Sequence, residues 1–323
     1  MRVFVTGGTG FIGSRTVRRL SAEGHQLRCL VRPRSDRRTL DEVKAEPAPG
    51  DVTDPHSLAA GVAGCDAVVN IAAAYDFWVP DRGVYERVNV QGMRNLMEAA
   101  IAARVRKVVH VSTAAVWGEA PWPITERSEL GAACATAYAR SKRVGDQVAR
   151  DLADASGVPL VTIHPGAVTG EGDPKASGKY LDMLRRGRLP AQIMPSRSFS
   201  FVYVGDVAEA ICRALDKPDN DGEKYIVVAE NRTWGEVNRM ACEIAGSRLP
   251  LLTLPDWLTE LNARLLTALA DLVKRPPLMN LALDQVLLMK QGLSCDGNKA
   301  ARELGLAYTP LRTTLERALR RDS

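Results

Sequence analysis

The sequence predicts an α/β fold, in which a doubly wound parallel sheet is joined to a smaller, mostly helical C-terminal lobe. Short β-branched runs alternate with helical patterns through the first half of the chain, and helical patterns dominate from Asp206 onward. Strand, helix and strand at this spacing favour parallel pairing with right-handed crossovers. A glycine-rich turn at residues 5–15 follows the first strand, which is where such sheets bind ligands.

Five strands and two long helices can be placed from the residue pattern. Glycine and proline become frequent between residues 165 and 200, which indicates a change of architecture there. We expect residues 1–165, with a further strand and helix at about 200–228, to form the sheet domain. Residues 166–199 and 229–323 then form a substrate-binding lobe over the carboxyl ends of the strands. The strands are predicted at residues 2–6, 26–31, 67–71, 107–112 and 160–164, and the helices at residues 85–103 and 138–157.

Composition narrows the class of protein. The 323 residues have a mild net charge of +5 spread along the chain, which favours a small-molecule partner over nucleic acid. The chain opens directly on a strand with no signal peptide, and polar residues interrupt the apolar segment 258–273, so no membrane span is expected. The cysteines lack CxxC spacing, which predicts buried free thiols in a reducing cytosol, a cytoplasmic location and no metal site. They are Cys29, Cys65, Cys134, Cys212, Cys242 and Cys295.

The glycines between the first strand and the first helix predict a dinucleotide site. Gly7, Gly10 and Gly13 are spaced GxxGxxG, and Gly8, Gly10 and Gly13 also satisfy GxGxxG. Glycine allows a tight turn, a close approach of the backbone to a pyrophosphate, and close packing of helix on strand. The phosphates would bind the free amides of the helix N-terminus. The alternative is a glycine-rich turn without a ligand, but its place in the chain favours an NAD(P)-binding Rossmann domain.

The end of the second strand indicates which dinucleotide binds. An NAD site usually carries an acidic residue there, which binds the ribose 2′-hydroxyl, whereas Arg32 stands at that position. A guanidinium can pair with a 2′-phosphate that a carboxylate would repel. We therefore predict NADP(H) as the preferred cofactor, with NAD(H) possible. Asp36 is a rival partner for the hydroxyl, and a solvated basic loop would also explain some of the neighbouring arginines.

Four side chains suggest proton-transfer chemistry. Tyr138 and Lys142 lie four apart on one helix, hence on one face, and a nearby ammonium lowers the pKa of a phenol. Ser112 and Thr113 follow the fifth strand and could hydrogen-bond a substrate oxygen at the cleft. Taken singly, the Tyr–Lys pair could be a solvated helix face and the hydroxyls a turn cap. Their order within the alternation of strands and helices favours a catalytic set.

These motifs together resemble the extended branch of the short-chain dehydrogenase/reductase superfamily. The resemblance runs through "VTGGTGFIG", "GDVTD", "NIAAA", "NVQGMRNLMEAA", "STAAVWG", "YARSK" and "HPGAVTG". It implies catalytic roles for Thr113 rather than Ser112, for Tyr138 as acid and base, for Lys142, and for Asn89. It further implies that the cofactor contacts Gly7, Thr9, Gly10, Phe11, Ile12, Gly13, Asp51, Val52, Ile71, Ala72, Ala73, Tyr138, Lys142, Pro165 and Val168.

The resemblance leaves more than one activity open. Nucleotide-sugar enzymes of this branch carry an Arg that pairs with the diphosphate, and Phe199 stands at that position, although Arg197 could substitute for it. Dehydratases place an acidic pair where Ala114 and Ala115 stand, so dehydration is not expected. We predict reduction of a ketone or aldehyde, or oxidation of the alcohol. A nucleotide-sugar epimerase with tightly bound NAD and a non-catalytic NADP-sensing regulator are the alternatives.

Apolar residues in the tail and in loops support an apolar substrate. The segments 255–273 and 277–290 are amphipathic, and they either close the small lobe or form a lid over a hydrophobic carbonyl or alcohol compound. The resemblance also implies a homodimer built on the helices of 85–103 and 138–157. The tryptophans are predicted to divide into two groups: Trp78, Trp117 and Trp122 line an apolar pocket, while Trp234 and Trp257 pack in the core or the lobe.

Overall fold

The computed structural model describes residues 1–278 and 281–320, and within them the chain forms twelve strands and thirteen helices. The strands are β1 (Arg2–Thr6), β2 (Gln26–Val31), β3 (Glu46–Pro49), β4 (Ala67–Asn70), β5 (Lys107–Val111), β6 (Leu160–Pro165), β7 (Ala167–Thr169), β8 (Gln192–Ile193), β9 (Ser198–Tyr203), β10 (Lys224–Val227), β11 (Glu230–Thr233) and β12 (Thr253–Leu254). The helices are α1 (Phe11–Ala22), α2 (Arg38–Glu42), α3 (Pro55–Val62), α4 (Gly83–Tyr85), α5 (Gly92–Ala102), α6 (Ala137–Ser156), α7 (Ala176–Arg185), α8 (Val204–Asp216), α9 (Trp234–Ala245), α10 (Asp256–Val273), α11 (Leu283–Gln291), α12 (Asn298–Leu304) and α13 (Leu311–Leu319). A π-helix spans Glu86–Gln91 and a 3₁₀-helix spans Ala114–Trp117.

Seven parallel strands form the central sheet, in the order β10-β6-β5-β4-β1-β2-β3. The chain starts in the middle at β1, runs outward through β2 and β3, and then returns to β4 and runs outward on the other side. This reversal places the carboxyl ends of β1 and β4 side by side at a topological switch point, where doubly wound sheets bind their ligands. The predicted doubly wound parallel sheet is confirmed.

Helices cover both faces of this sheet, which explains why its central strands are apolar throughout. Along β1, Val3 and Val5 enter one hydrophobic core, and Phe4 enters the other core on the opposite face. On the first face α1 packs against α8, and on the second α3 and α6 pack against α5. The alternation of side chains along a strand therefore assigns neighbouring residues to different layers.

A second group of elements lies beyond the sheet. Strands β7, β9 and β11 form a small sheet, in which β9 pairs with β7 in parallel and with β11 in antiparallel fashion. Helices α7, α9 and α13 pack together around a separate core that includes Phe199 and Phe201 of β9. Helix α9 begins with a capping box between Thr233 and Glu236. The division of the chain into domains remains a prediction, although β10 joins the central sheet as the expected strand near 228.

The predicted strands of the central sheet agree with the structure, with two differences in the first half of the chain. Strand β3 was not expected because its sequence, EPAP, contains two prolines; it is tolerated because β3 is an edge strand. The single helix predicted at 85–103 is divided into α4, the π-helix and α5. Part of the amphipathic segment predicted at 277–290, Met279 and Asn280, lies outside the described residues.

Two further findings concern the predicted class of protein. All six cysteines are buried and free, as their spacing predicted. Within the described part of the chain, no helix combines the length and apolar character that a membrane crossing requires.

Candidate cofactor and substrate site

The glycine turn forms a backbone cradle at the N-terminus of α1. Gly7 has a φ of +72°, and its carbonyl accepts a hydrogen bond of 3.0 Å from the Gly10 amide. A Cβ on Gly13 would lie 2.0 Å from the Gly7 oxygen, and one on Gly7 would lie 2.7 Å from the Ala72 nitrogen. Gly10 caps α1 without a side-chain hydrogen bond, so no side chain competes for the first amides of the helix. The turn therefore fits a bound diphosphate, because its backbone is both unobstructed and rich in donors.

A cavity of about 560 Å³ opens from this cradle along the carboxyl ends of the strands. It brings together every residue predicted to contact the cofactor except Lys142, together with the predicted catalytic Thr113 and Tyr138. Lys142 and Asn89 lie outside its wall. The predicted residues in the wall are Gly7, Thr9, Gly10, Phe11, Ile12, Gly13, Arg32, Asp51, Val52, Ile71, Ala72, Ala73, Thr113, Tyr138, Pro165 and Val168.

The basic loop after β2 presents one arginine to this cavity. Arg32 lies in the cavity wall and is exposed, and in the described residues it forms no ion pair. Asp36, the rival partner for a ribose hydroxyl, lies outside the wall and pairs with Arg38 at 2.6 Å. The Arg38 side chain lowers the pKa of Asp36 to about 2. The local geometry therefore favours Arg32 over Asp36 as the group that meets the adenosine ribose.

The two hydroxyls after β5 have different surroundings. Ser112 is buried, and its Oγ donates a hydrogen bond of 2.6 Å to Asp146 Oδ2. Thr113 is only partly buried in the cavity wall, and its Oγ1 accepts a weak hydrogen bond of 3.3 Å from the Ala115 amide. The Thr113 O–H thus remains available to a ligand, in agreement with the choice of Thr113 over Ser112.

Tyr138 stands in the cavity wall near the start of α6, with its ring 4.9 Å from the ring of Tyr75 in an edge contact. Burial, with smaller effects of Tyr75 and Asp146, raises the pKa of the Tyr138 phenol above its usual range. The phenol is therefore protonated at neutral pH, as a proton donor to a carbonyl must be. The lowering of this pKa by Lys142 stays a prediction, since no hydrogen bond joins the two side chains in this structure.

Lys142 is buried one turn further along α6. Its Nζ donates to the Val111 carbonyl at 2.9 Å and lies 3.3 Å from His110 Nε2. Desolvation lowers the pKa of Lys142 to about 8, although Asp146 favours its charged form. His110 accepts from Asn70 at Nδ1, so its Nε2 carries the proton that it donates to Asp146 Oδ1 at 3.1 Å. Because that nitrogen cannot also accept from Lys142, the ammonium keeps donors for further partners.

Asn89 fixes backbone instead of facing the cavity. Its Oδ1 accepts from the Ala74 amide at 2.8 Å, and its Nδ2 donates to the Ala74 carbonyl and to Ser141 Oγ. The π-helix, a form that recurs at functional sites, places Asn89 at this point. Since Ala74 follows the wall residues Ala72 and Ala73, Asn89 anchors the cofactor-facing strand end to α6.

The buried polar cluster behind Tyr138 predicts a pH-dependent stability. Desolvation and Lys142 lower the pKa of His110 to about 4. His110 and His164 both hydrogen-bond to Asp146, and although burial opposes it, these two bonds hold the pKa of that carboxyl far below its usual range. Below pH 6.5 the unfolded chain binds a proton at His110 that the folded chain excludes. The free energy of unfolding should therefore fall, by about 3 kcal/mol, as pH decreases from about 6.5 to about 4.

Urea denaturation at several pH values measures this effect. The variant His110→Gln, which cannot titrate, should show a shallower decrease than the wild type over the same interval. Equal slopes for the two proteins would assign the pH dependence to other groups.

Apolar side chains form most of the far end of the cavity, and Lys175 also lines the cavity. These apolar side chains come from the loop after β4, from α7, β8, β9, α9 and α11, and from the residues just after α11, which are spread over residues 75 to 293, so no local pattern marks them together. Leu288 and Met289 lie in the segment 277–290, for which a lid over the substrate was one of two expectations, and the other residues were not identified as wall residues from the sequence. The apolar wall residues in this part are Tyr75, Phe77, Tyr180, Ile193, Phe199, Trp234, Leu288, Met289 and Leu293.

The predicted roles of the tryptophans were wrong except for the packing of Trp234. Trp78, Trp117 and Trp122 do not line the cavity: Trp78 Nε1 donates to Asp271, and Trp117 is buried in a core. Trp234 packs against two hydrophobic cores as expected and also lies in the cavity wall, whereas Trp257 is exposed. Side-chain direction depends on how the helices pack, and the local sequence does not encode that direction.

The arginine considered as a diphosphate partner is directed elsewhere. Arg197 precedes β9 and pairs with Asp256 of α10 at 3.3 Å, and it does not line the cavity. Phe199 occupies the wall and is buried. Aromatic surface lines much of the cavity beyond Tyr138, and Lys175, the cation in the wall besides Arg32, is paired with Asp76 at 2.7 Å.

Comparisons with known proteins agree with this architecture. A model of the NAD dependent epimerase/dehydratase family matches residues 3–229. Sterol demethylase protein B of Methylococcus capsulatus is 32% identical over 330 residues, covering 99% of this chain and 97% of that protein. The 3 beta-hydroxysteroid dehydrogenase type 7 of Mus musculus is 30% identical over 340 residues, covering 95% and 90%. The crystal structure of gox2253 has a TM-score of 0.84 at 34% identity, covering 98% of this chain and 96% of that one.

Proposed function

We propose that this chain, which belongs to the NAD dependent epimerase/dehydratase family, is an NADP(H)-dependent oxidoreductase of apolar carbonyl or alcohol compounds. One observation carries the proposal: a single cavity joins the glycine cradle and Arg32 to Thr113, Tyr138 and an apolar far end. Membership in a family named for NAD dependence makes the chain an NAD(P)-dependent enzyme, and the preference for NADP(H) is the further step proposed here.

The chain's own groups divide the work of holding the cofactor. The amides at the start of α1 would bind the diphosphate, and the Arg32 guanidinium would bind the 2′-phosphate. Asp51 and Val52 lie where the adenine would contact the wall, and Pro165 and Val168 lie at the opposite end. When bound, the nicotinamide supplies or accepts the hydride.

Tyr138 and Thr113 act on the substrate oxygen. The protonated phenol of Tyr138 donates its proton to that oxygen during reduction, and the Thr113 hydroxyl donates a hydrogen bond to it. Lys142, with donors left over from its contact to Val111, would bind the ribose and favour the phenolate of Tyr138 after the proton has left. Asn89 holds the Ala74 backbone against α6 and so keeps these groups in register.

The substrate class follows from the wall beyond Tyr138. Phe199, Tyr180 and Trp234 form an aromatic surface, with rings of the latter two 5.6 Å apart, and Leu288 and Met289 complete it. Such a wall gains free energy by excluding water from an apolar ligand. Lys175 also lines the cavity, but it is paired with Asp76 at 2.7 Å and would have to give up that partner to bind a diphosphate. Two relatives carry names that refer to a sterol and to a hydroxysteroid, which supports a rigid apolar substrate of that kind.

A combined cofactor and substrate assay tests the proposal. The purified chain would be titrated with NADPH and NADH and then assayed with a panel of apolar ketones and with UDP- and dTDP-sugars. We expect tighter binding of NADPH and oxidation of NADPH by one or more apolar ketones. Release of tightly held NAD on denaturation, with turnover of a nucleotide-sugar, would establish the epimerase alternative. NADPH binding without turnover of any compound would favour the sensor alternative.

The cofactor preference predicts the effect of one charge reversal. The Arg32→Asp variant should bind NADPH about 10- to 100-fold more weakly, because it loses a charge-assisted hydrogen bond and gains a repulsive charge. Its affinity for NADH should change little. Fluorescence titration with both cofactors measures the two dissociation constants.

Arg34→Asp provides the matched control for this variant. Arg34 belongs to the same exposed basic loop but does not line the cavity. The two substitutions change the net charge equally, so only Arg32→Asp should alter the preference for NADPH over NADH. An equal loss of NADPH affinity in both variants would show that the loop acts by its overall charge alone.

A further inference from the structure

Helix α10 carries an exposed apolar stripe that the proposed function does not use. Trp257, Leu261, Leu265, Leu269 and Val273 are spaced four residues apart, so each lies beside the next on the helix surface and together they form a stripe that winds round the helix. Their exposed fractions are 67%, 44%, 62%, 55% and 50%. The exposed side chains thus form a continuous apolar surface, which we call the α10 stripe.

The buried face of α10 carries small side chains instead. Thr259, Ala263, Thr267 and Ala270 are the buried residues of this helix. A surface helix normally turns its large apolar side chains toward the core and its polar ones toward water. In α10 the large side chains point outward, so they contribute little to the stability of this chain and indicate a contact with something outside it.

The apolar surface continues beyond the two ends of the helix. Leu251 and Leu252 precede α10 and are 102% and 60% exposed, and Leu278 follows it and is 72% exposed. Within the last turn of the helix, Leu272 is 80% exposed. Large exposed apolar patches on monomeric proteins mark sites of interaction with proteins or membranes.

Charge distinguishes between these two kinds of partner. The acidic groups of α10 are already engaged: Asp256 pairs with Arg197, Glu260 with Arg264 and Lys290, and Asp271 with the Trp78 indole. Lys274 and Arg275 follow the stripe directly and are exposed. In residues 1–278 and 281–320, neither has a carboxylate within 4 Å. Arg87, which pairs with Asp81 at 2.6 Å, lowers the pKa of that carboxyl, and Lys274 adds a smaller effect in the same direction. The stripe therefore ends beside two cations that form no ion pair of their own in the described residues.

We propose that the α10 stripe docks this protein on the surface of an anionic lipid bilayer. Leucines enter the boundary between headgroups and acyl chains, as in interfacial amphipathic helices, while Lys274 and Arg275 bind anionic headgroups. Trp257 suits the same boundary, since tryptophan concentrates at membrane–water interfaces. The helix lies on the surface and does not cross the bilayer, which agrees with the lack of a spanning helix in the described residues.

The stripe also lies close to the apolar end of the cavity. α10 packs on α11, which contributes Leu288 and Met289 to the cavity wall. Asp271 of α10 binds Trp78, the neighbour of the wall residue Phe77. A bilayer under α10 would therefore present lipid-dissolved compounds beside the cavity. The delivery of such compounds to the cavity rests on the proposed function, whereas binding of the bilayer itself does not.

Vesicle flotation tests the docking surface without reference to turnover. The full chain would be mixed with vesicles of phosphatidylcholine and phosphatidylglycerol, or of phosphatidylcholine alone, and the bound fraction measured. We expect binding to the anionic vesicles, weakened about tenfold or more in the variant L261Q/L265Q/L269Q, whose new side chains keep helix propensity. The variant K274E/R275E should lose binding to anionic vesicles preferentially.

Two measurements keep the test independent of folding and of dimer formation. Leu130→Gln is the matched control, because Leu130 is 53% exposed, like Leu269, but lies outside the stripe, and it should bind vesicles as the wild type does. Circular dichroism would verify that each variant is folded. Absence of wild-type binding, or equal binding by the triple variant, would overturn the proposal. Sedimentation gives a further criterion. If the triple variant converts a dimer into a monomer and no protein binds vesicles, the stripe joins two copies of this chain and the proposal is overturned.

Discussion

Replacing Tyr138 with phenylalanine should lower kcat for ketone reduction by about 10³-fold, within the range for loss of a positioned proton donor. The affinity for NADPH should stay within about twofold, because the ring and its edge contact with Tyr75 remain while one hydroxyl is lost. The raised pKa of Tyr138 keeps that hydroxyl protonated at neutral pH, so the wild type should retain its donor across the physiological range. Steady-state kinetics and a fluorescence titration with NADPH separate the two effects.

Tyr75→Phe is the control for this variant. Tyr75 contributes a second phenol to the same cavity, in contact with the ring of Tyr138. If the proton comes from Tyr138 alone, Tyr75→Phe should change kcat by no more than about threefold. Turnover near that of the wild type in Tyr138→Phe would contradict the assignment, and a large loss in Tyr75→Phe alone would transfer the role to Tyr75.

Replacing Gly13 with alanine should abolish dinucleotide binding at concentrations up to about 100-fold above the wild-type Kd. The new Cβ would lie 2.0 Å from the Gly7 oxygen and 2.8 Å from both the Gly7 carbonyl carbon and the Gly8 Cα. All three are backbone atoms, so no side-chain rotation can relieve the overlap, and the turn must open away from α1. The shift in Tm on adding NADPH, which reports binding to the folded chain, should disappear.

Gly10→Ala gives the graded comparison. Its Cβ would meet only the Gly7 oxygen, at 3.2 Å, so a shift of a few tenths of an ångström accommodates it. This variant should stay folded, bind NADPH more weakly than the wild type, and keep a measurable shift in Tm. A Gly13→Ala protein that binds NADPH as the wild type does would show that the cradle is less rigid than this geometry implies.

The cofactor half of the site could be predicted because its signals are local. The glycines at 7, 10 and 13 act within one turn, and Arg32 is placed by the end of one strand. Strands β1, β2, β4, β5 and β6 were found from β-branched runs, since strands buried on both faces need apolar residues throughout. Because the strands are parallel, their carboxyl ends lie together at one edge of the sheet.

The substrate half could not be predicted because its wall is assembled from distant segments. Phe199, Trp234 and Leu288 meet only after β9, α9 and α11 have packed, and each of them would also suit an ordinary core. The partners of Lys142 are similarly non-local: His110 and Val111 lie on β5, more than thirty residues away. Spacing placed Lys142 on the face of Tyr138, but rotamer and packing directed its ammonium toward β5.

The periodicity and motifs of this chain were thus enough to predict the doubly wound sheet, the glycine cradle and the candidate Thr113–Tyr138 pair, because each depends on contacts within a few residues or on neighbouring strand ends. Tertiary packing determined that Trp234 faces the cavity, that Ser112 hydrogen-bonds to Asp146, and that the leucines of the α10 stripe point outward. The physical reason is the same in all three cases. An apolar or hydroxyl side chain gains from any burial or hydrogen bond, and only the arrangement of the neighbouring elements determines which one it finds.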